Sequence, residues 1–171
     1  MSAITPYSIP ISGLKAGIHR FEYALDKHFF DLFEGSPIDD AEVLYQVTLD
    51  KRHDMLLFEL ELTGFLRTNC DRCTAPIHLP LQDSRSLVVK FGEAEGEAAD
   101  EVVFIHRDSY AFNLASTLYE FAVLSLPMVN VYDCELDTPR PCNQDILDKL
   151  RESAESSDNP LWDALNDLKK Q

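Results

Sequence analysis

The sequence predicts an α+β fold built on a mostly antiparallel β-sheet, and three features carry that prediction. Consecutive stretches between Val43 and Phe91 alternate apolar and polar side chains with a period of two, which is the signature of strands with one buried face. A stretch beginning at Asn113 instead repeats its apolar residues at helical spacing. Finally, 171 residues with 45% hydrophobic and 26% charged side chains are enough to bury one core without cross-links.

The elements follow in chain order. Tyr7-Ser8-Ile9-Pro10-Ile11 reads as a short edge strand, because Pro10 has no N–H to give to a central ladder. Gly13 and Gly17 punctuate the turn after it. Ile18–Leu25 alternates moderately, and Asp26 is placed to cap a helix over Lys27–Phe33 that Glu34-Gly35-Ser36-Pro37 would end. Val43, Tyr45, Val47 and Leu49 form the first clear apolar face. Leu56, Phe58, Leu60 and Leu62 form the second, beyond the turn-like Lys51-Arg52-His53-Asp54. Ile77, Leu79, Leu81, Leu87, Val89 and Phe91 share the parity of a third. Together these runs predict an antiparallel meander, open or partly closed.

Residues 92–101 carry five acids and no base, which predicts a loop. Val102–Ile105 resumes as a short strand. Asn113 can cap a helix burying Leu114, Leu118, Phe121, Ala122 and Ser125, closed by Pro127. A short helix over Gln144–Glu152, an acidic and serine-rich linker over 153–158, and a final amphipathic helix displaying Leu161, Trp162, Leu165 and Leu168 complete the chain. The expected organisation is a core domain over 1–142 and a helical C-terminal extension over 143–171. That last helix can dock on its own core or lie in a partner's groove.

Charge narrows the function. Fifteen Lys and Arg against 30 Asp and Glu leave a formal −15, so long-range repulsion opposes non-specific contact with nucleic acid and favours a basic protein partner. No apolar run approaches the length of a membrane helix, and Met1–Pro6 lacks the pattern of a secretory signal. The expected location is the cytoplasm. The catalytic signatures His-Glu-x-x-His, Gly-x-Ser-x-Gly, Gly-x-Gly-x-x-Gly and a phosphate-cradling loop are absent, and the five histidines are scattered singly. The sequence therefore asks for no enzyme.

Four cysteines remain, Cys70, Cys73, Cys134 and Cys142. Cys70-Asp71-Arg72-Cys73 lies between two predicted strands, where a tight turn would aim both sulfurs the same way, as a zinc knuckle does. A closed zinc site needs four ligands, so Cys134 and Cys142 would have to complete it from an irregular lobe. The alternatives are thiols that bind no metal and a redox-active pair. Thioredoxin-like pairs open a helix beside a βαβ unit, whereas this one sits between antiparallel strands. Arg67, Arg72, Arg85 and Lys90 against Asp71 and Asp83 make Phe65–Phe91 the most positive stretch. It would either face a phosphate or offset thiolate charge around a metal.

Taken in order, the Tyr7–Gly13 segment, Cys70-Asp71-Arg72-Cys73, the helix with Glu120 that ends Leu124-Ser125-Leu126-Pro127, the cysteine-bearing lobe and Asn159-Pro160-Leu161-Trp162-x-x-Leu165-x-x-Leu168-Lys169 resemble the YceD family, in its Bacteroidetes-type version. The resemblance implies a factor in large-subunit ribosomal RNA accumulation, commonly encoded beside a small basic ribosomal protein. It matches Cys70 and Cys73 to the family's first pair and Cys142 to its later cysteine, with Cys134 where many relatives carry a histidine. It transfers no catalytic residue. The expectation is a non-enzymatic factor that holds a basic ribosomal protein or a pre-ribosomal particle. Two other readings stand beside it: a direct RNA-binding zinc knuckle, and a thiol redox protein using Cys70 and Cys73.

Overall fold

A computed structural model describes residues 5–92, 102–131, 134 and 137–155. Contacts divide the chain into two compact units, Met1–Thr68 with His78–Met128, and Asn69–Ile77 with Val129–Gln171. This grouping sets the cysteine turn with the C-terminal part of the chain rather than with the rest of 1–142.

In the first unit a 3-10 turn at Thr5–Tyr7 leads into β1 (Ser8–Ile9), and a second 3-10 turn occupies Ile11–Gly13. The strand expected over Tyr7–Ile11 is thus cut to two residues. Lys51 donates to the carbonyls of Ile11 (2.6 Å) and Leu14 (2.8 Å), which folds the segment after Pro10 into a turn instead of extending it. Next come β2 (Gly17–Leu25) and α1 (Lys27–Phe30). Asp26 caps that helix as its sequence position predicts, its carboxylate accepting from the amides of His28 (3.0 Å) and Phe29 (3.3 Å). The helix stops at Phe30, short of Phe33, and Leu32 and Phe33 continue through i→i+3 bonds in a tightened turn.

The three alternating runs become β3 (Ala41–Lys51), β4 (Met55–Asn69) and β5 (Pro76–Phe91), followed by β6 (Val102–Ile105). Among the described residues they form one open sheet in the order β2-β3-β4-β5-β6, and it does not close. β2–β3 and β3–β4 are antiparallel, with Tyr23, Tyr45 and Leu62 in one row and Leu49 opposite Phe58. The predicted inner face is buried throughout, from Val43, Tyr45, Val47 and Leu49 to Leu56, Phe58, Leu60 and Leu62. β6 runs parallel to β5 rather than continuing the meander, Val88 lying against Val102 and Phe91 against Ile105. Residues 93–101, which make that crossover, include most of the acidic loop and lie outside the described residues.

Two further elements cover the inner face. β7 (Phe112–Asn113) pairs antiparallel with β1, and α2 (Ala115–Leu124) follows. The N-cap of α2 is Leu114 and not the predicted Asn113, which lies one residue earlier in the strand; its side-chain oxygen accepts from the Ala115 amide (2.9 Å) and makes a turn into the helix. Leu114, Leu118 and Ala122 are fully buried. Tyr45 donates its hydroxyl to the Leu118 carbonyl (3.0 Å), linking sheet to helix. Aromatic rings fill the end near α1, where Phe33 stacks on Tyr119 at 3.9 Å and Phe29 meets Tyr7 edge-on at 4.8 Å. In the second unit α3 (Gln144–Glu155) extends the expected short helix by one turn. The final amphipathic helix expected over 159–170 lies outside the described residues.

Candidate functional site

The second unit is built around the turn between β4 and β5. The Cys70 amide donates to the Ala75 carbonyl and the Thr74 amide to the Cys70 carbonyl, both at 2.8 Å. Thr74 takes φ 57°, the left-handed conformation that lets the chain double back within so few residues. Asp71 fastens a second segment to this turn. Its amide donates to the Asn130 carbonyl (3.1 Å), and its carboxylate accepts from the Asn130 amide (2.6 Å). That reciprocal pair starts the path toward Cys134. The Asp137 amide then bonds back to the Cys134 carbonyl (3.3 Å), and Cys142 follows directly before Asn143 and α3.

This path brings the four cysteines together. Cys70 and Cys73 are buried, Cys134 and Cys142 half-buried, and all four are free thiols. The sulfurs of Cys134 and Cys142 lie 2.8 Å apart. The Cys73 thiol is held below the ordinary thiol range, first by the Ala75 amide and then by that of Asn143. The thiols of Cys70 and Cys142 add to this, and burial opposes it. Cys142 is pushed up to about 11, first by its hydrogen bond with Cys134, then by burial and by the nearby charges of Cys134 and Cys73. One position thus favours a thiolate while its neighbour resists a second negative charge.

The donor chemistry suits zinc: four thiols, with backbone N–H groups aimed at the Cys73 sulfur. The spacing is tighter than zinc would set. Two sulfurs bound tetrahedrally at about 2.3 Å would stand about 3.7 Å apart, so Cys134 and Cys142 would have to separate by about 1 Å to share an ion. Among the described residues no group of three or more His, Cys, Asp or Glu side chains has the arrangement to hold a metal. The turn also sits between strands and not at a helix start, unlike the thioredoxin-type setting.

Two bases of the positive stretch, Arg67 and Arg85, are paired within the first unit. Arg67 pairs with Asp40 (2.9 Å) and Glu42 and lies over the Phe65 ring. Arg85 pairs with Asp83 (2.7 Å) and lies over Phe121. Asp83 and Arg85 occupy inner-face positions of β5, a placement the alternation of apolar residues around them signals and their charge obscures. The described histidines make only isolated contacts: His19 with the Lys15 carbonyl (2.8 Å), His78 stacked on Phe65, and His106 near Asp108 (3.6 Å). Among the described residues no helix is long and apolar enough to cross a membrane.

No curated protein and no solved structure matches the chain well enough to compare. A family model described as large ribosomal RNA subunit accumulation protein YceD matches residues 58–169.

Proposed function

The chain belongs to the YceD family, and from that membership we propose that it is a non-enzymatic factor in large-subunit rRNA accumulation, working in the cytoplasm by holding a basic ribosomal protein or a pre-ribosomal particle. The observation that carries this reading is the family match over 58–169 in a chain of net charge −15. Two cations of the stretch around the cysteine turn, Arg67 and Arg85, already serve carboxylates of their own chain. That favours a basic protein over RNA as the direct partner, since phosphate binding requires cations free to displace counterions.

Tagged protein should retain a basic ribosomal protein or precursor rRNA at about 50 mM salt and release it as screening rises toward 500 mM. Recovery of neither at the lower salt would overturn the proposal. Purified protein that binds RNA directly at that salt, and loses it when Arg67 and Arg72 are both changed to Glu, would replace it with direct RNA recognition.

We further propose that Cys70, Cys73, Cys134 and Cys142 bind one structural zinc. Elemental analysis should find one zinc per chain and its loss in Cys70→Ser. Metal-free protein of unchanged thermal stability would rule this out. The metal would close the second unit and supply no chemistry to a substrate.

A further inference from the structure

Among the described residues of the first unit, the outer face of β2, β3 and β4 carries exposed side chains whose shape and charge define an occupant. On β2, β3 and β4 the side chains opposite the core fall into rows set by the register: Glu22 with Gln46 and Glu61, Arg20 with Thr48 and Glu59, Ala24 with Leu44 and Thr63. Glu22, Glu59 and Glu61 are exposed, and among the described residues none of them has an ion pair. Glu42 and Asp50, on the same face, are already neutralised by Arg67 and Arg52.

The face is not flat. A groove of about 530 Å³ runs over Arg20, Glu22, Gln46, Thr48 and Glu61. A second, of about 650 Å³, lies over the next row, lined by Ala24, Leu44, Thr63 and Phe65 with Asp26 and Glu42. The first groove of this trough presents the Glu22 and Glu61 carboxylates beside Arg20, and the second adds the apolar side chains of Leu44 and Phe65 beside Asp26 and the Arg67-paired Glu42. Rows two residues apart on a strand are about 7 Å from each other, and residues two strands apart are about 10 Å from each other.

We infer that this trough is the docking surface for an extended cationic segment of a protein partner, its Lys or Arg side chains over Glu22, Glu59 and Glu61 and an apolar side chain two residues away over Leu44 and Phe65. The inference rests on the proposed holding function and gives it a location. Charge complementarity selects the occupant. A polyanion would meet three uncompensated carboxylates, and a purely apolar helix would strand them without partners. Arg20 is the single base in the rows and works against the cationic segment.

The probe is a short synthetic peptide repeating Lys-Ser-Lys-Ser-Val-Ser, which sets lysines and a valine two residues apart on one face of an extended chain, titrated into the full chain at about 50 mM salt. Replacing Glu22, Glu59 and Glu61 together by Gln should weaken binding roughly tenfold, each exposed pair being worth a modest factor. The matched control D31N/E34Q/D108N, which removes the same charge elsewhere on the first unit, should leave affinity unchanged. R20Q should tighten binding about threefold, and backbone amide shifts should cluster on β2–β4. Equal loss in the two triple variants, or a wild type that does not bind the peptide, overturns the inference. Pull-down separates this failure from failure of the broader proposal. A triple Gln variant that retains the ribosomal partner as well as wild type sinks the trough alone, whereas a wild type that retains nothing sinks the holding function while the peptide result still stands.

Discussion

Gly64 lies opposite Val43 in the β3–β4 register, and a methyl group there would strike the Glu42 carbonyl oxygen and sit 2.8 Å from the Val43 Cα. Both obstacles are backbone and cannot rotate aside, so Gly64→Ala should cost about 1–3 kcal/mol. A lower urea midpoint with an unchanged slope would register it. Tyr45 supplies a second residue-scale expectation. Its buried phenol titrates above the ordinary range, chiefly because burial disfavours the phenolate and then because Asp83 is near. A folded-state pKa raised in this way leaves stability intact below the unfolded value of about 10 and loses it as pH rises past that value. Tyr45→Phe should cost about 1 kcal/mol at neutral pH, by removing the bond to Leu118, and should flatten the alkaline decline. Denaturant melts of both proteins across pH 8 to 11 would test it. The burial of Tyr45 was legible in the alternation of its strand. The inward pair Asp83–Arg85 was not, because its charged side chains suggest solvent, and contact with each other, with the Phe121 ring, with the Leu124 carbonyl and with the Ser84 amide makes the inner face tolerable to them.

Among the elements, the long runs were legible and the short ones were not. β3, β4 and β5 announce themselves because a one-residue slip would turn every apolar side chain to solvent, so pattern and register reinforce each other. β1 and β7 are two residues each and exist through their mutual pairing, a tertiary event that local spacing does not encode. The parallel placement of β6 depends likewise on the route of the crossover. The cysteine turn is intermediate. Cys-x-x-Cys between strands predicted a tight turn, but nothing in the residues announced that Asp71 would clasp Asn130. Asp71→Ala should release that clasp, seen as faster hydrogen exchange at the Asn130 amide while the β3 and β4 amides stay protected. Cys134 and Cys142 entered the expected ligand set through the count of four and the family resemblance, not through any local spacing. Their meeting with Cys70 and Cys73 follows from the lobe's own hydrogen bonds.

For the whole molecule, a net charge of −15 acts on folding and on binding with opposite signs. Self-repulsion among the carboxylates opposes compaction, so raising salt from about 10 to 150 mM should raise the melting temperature of the isolated chain. The same change should weaken its hold on a cationic partner. A melting temperature that falls over this range would contradict the electrostatic account. The second unit carries a different consequence, one of timing. It is assembled from two stretches of chain with Cys73 in the first and Cys142 in the second, 69 positions apart. At roughly 5–20 residues per second of synthesis, Cys142 leaves the decoding centre about 3–14 s after Cys73. During that interval on the translating ribosome the early thiols have no late partners, and the lobe is the last part of the cysteine group that a nascent chain can complete.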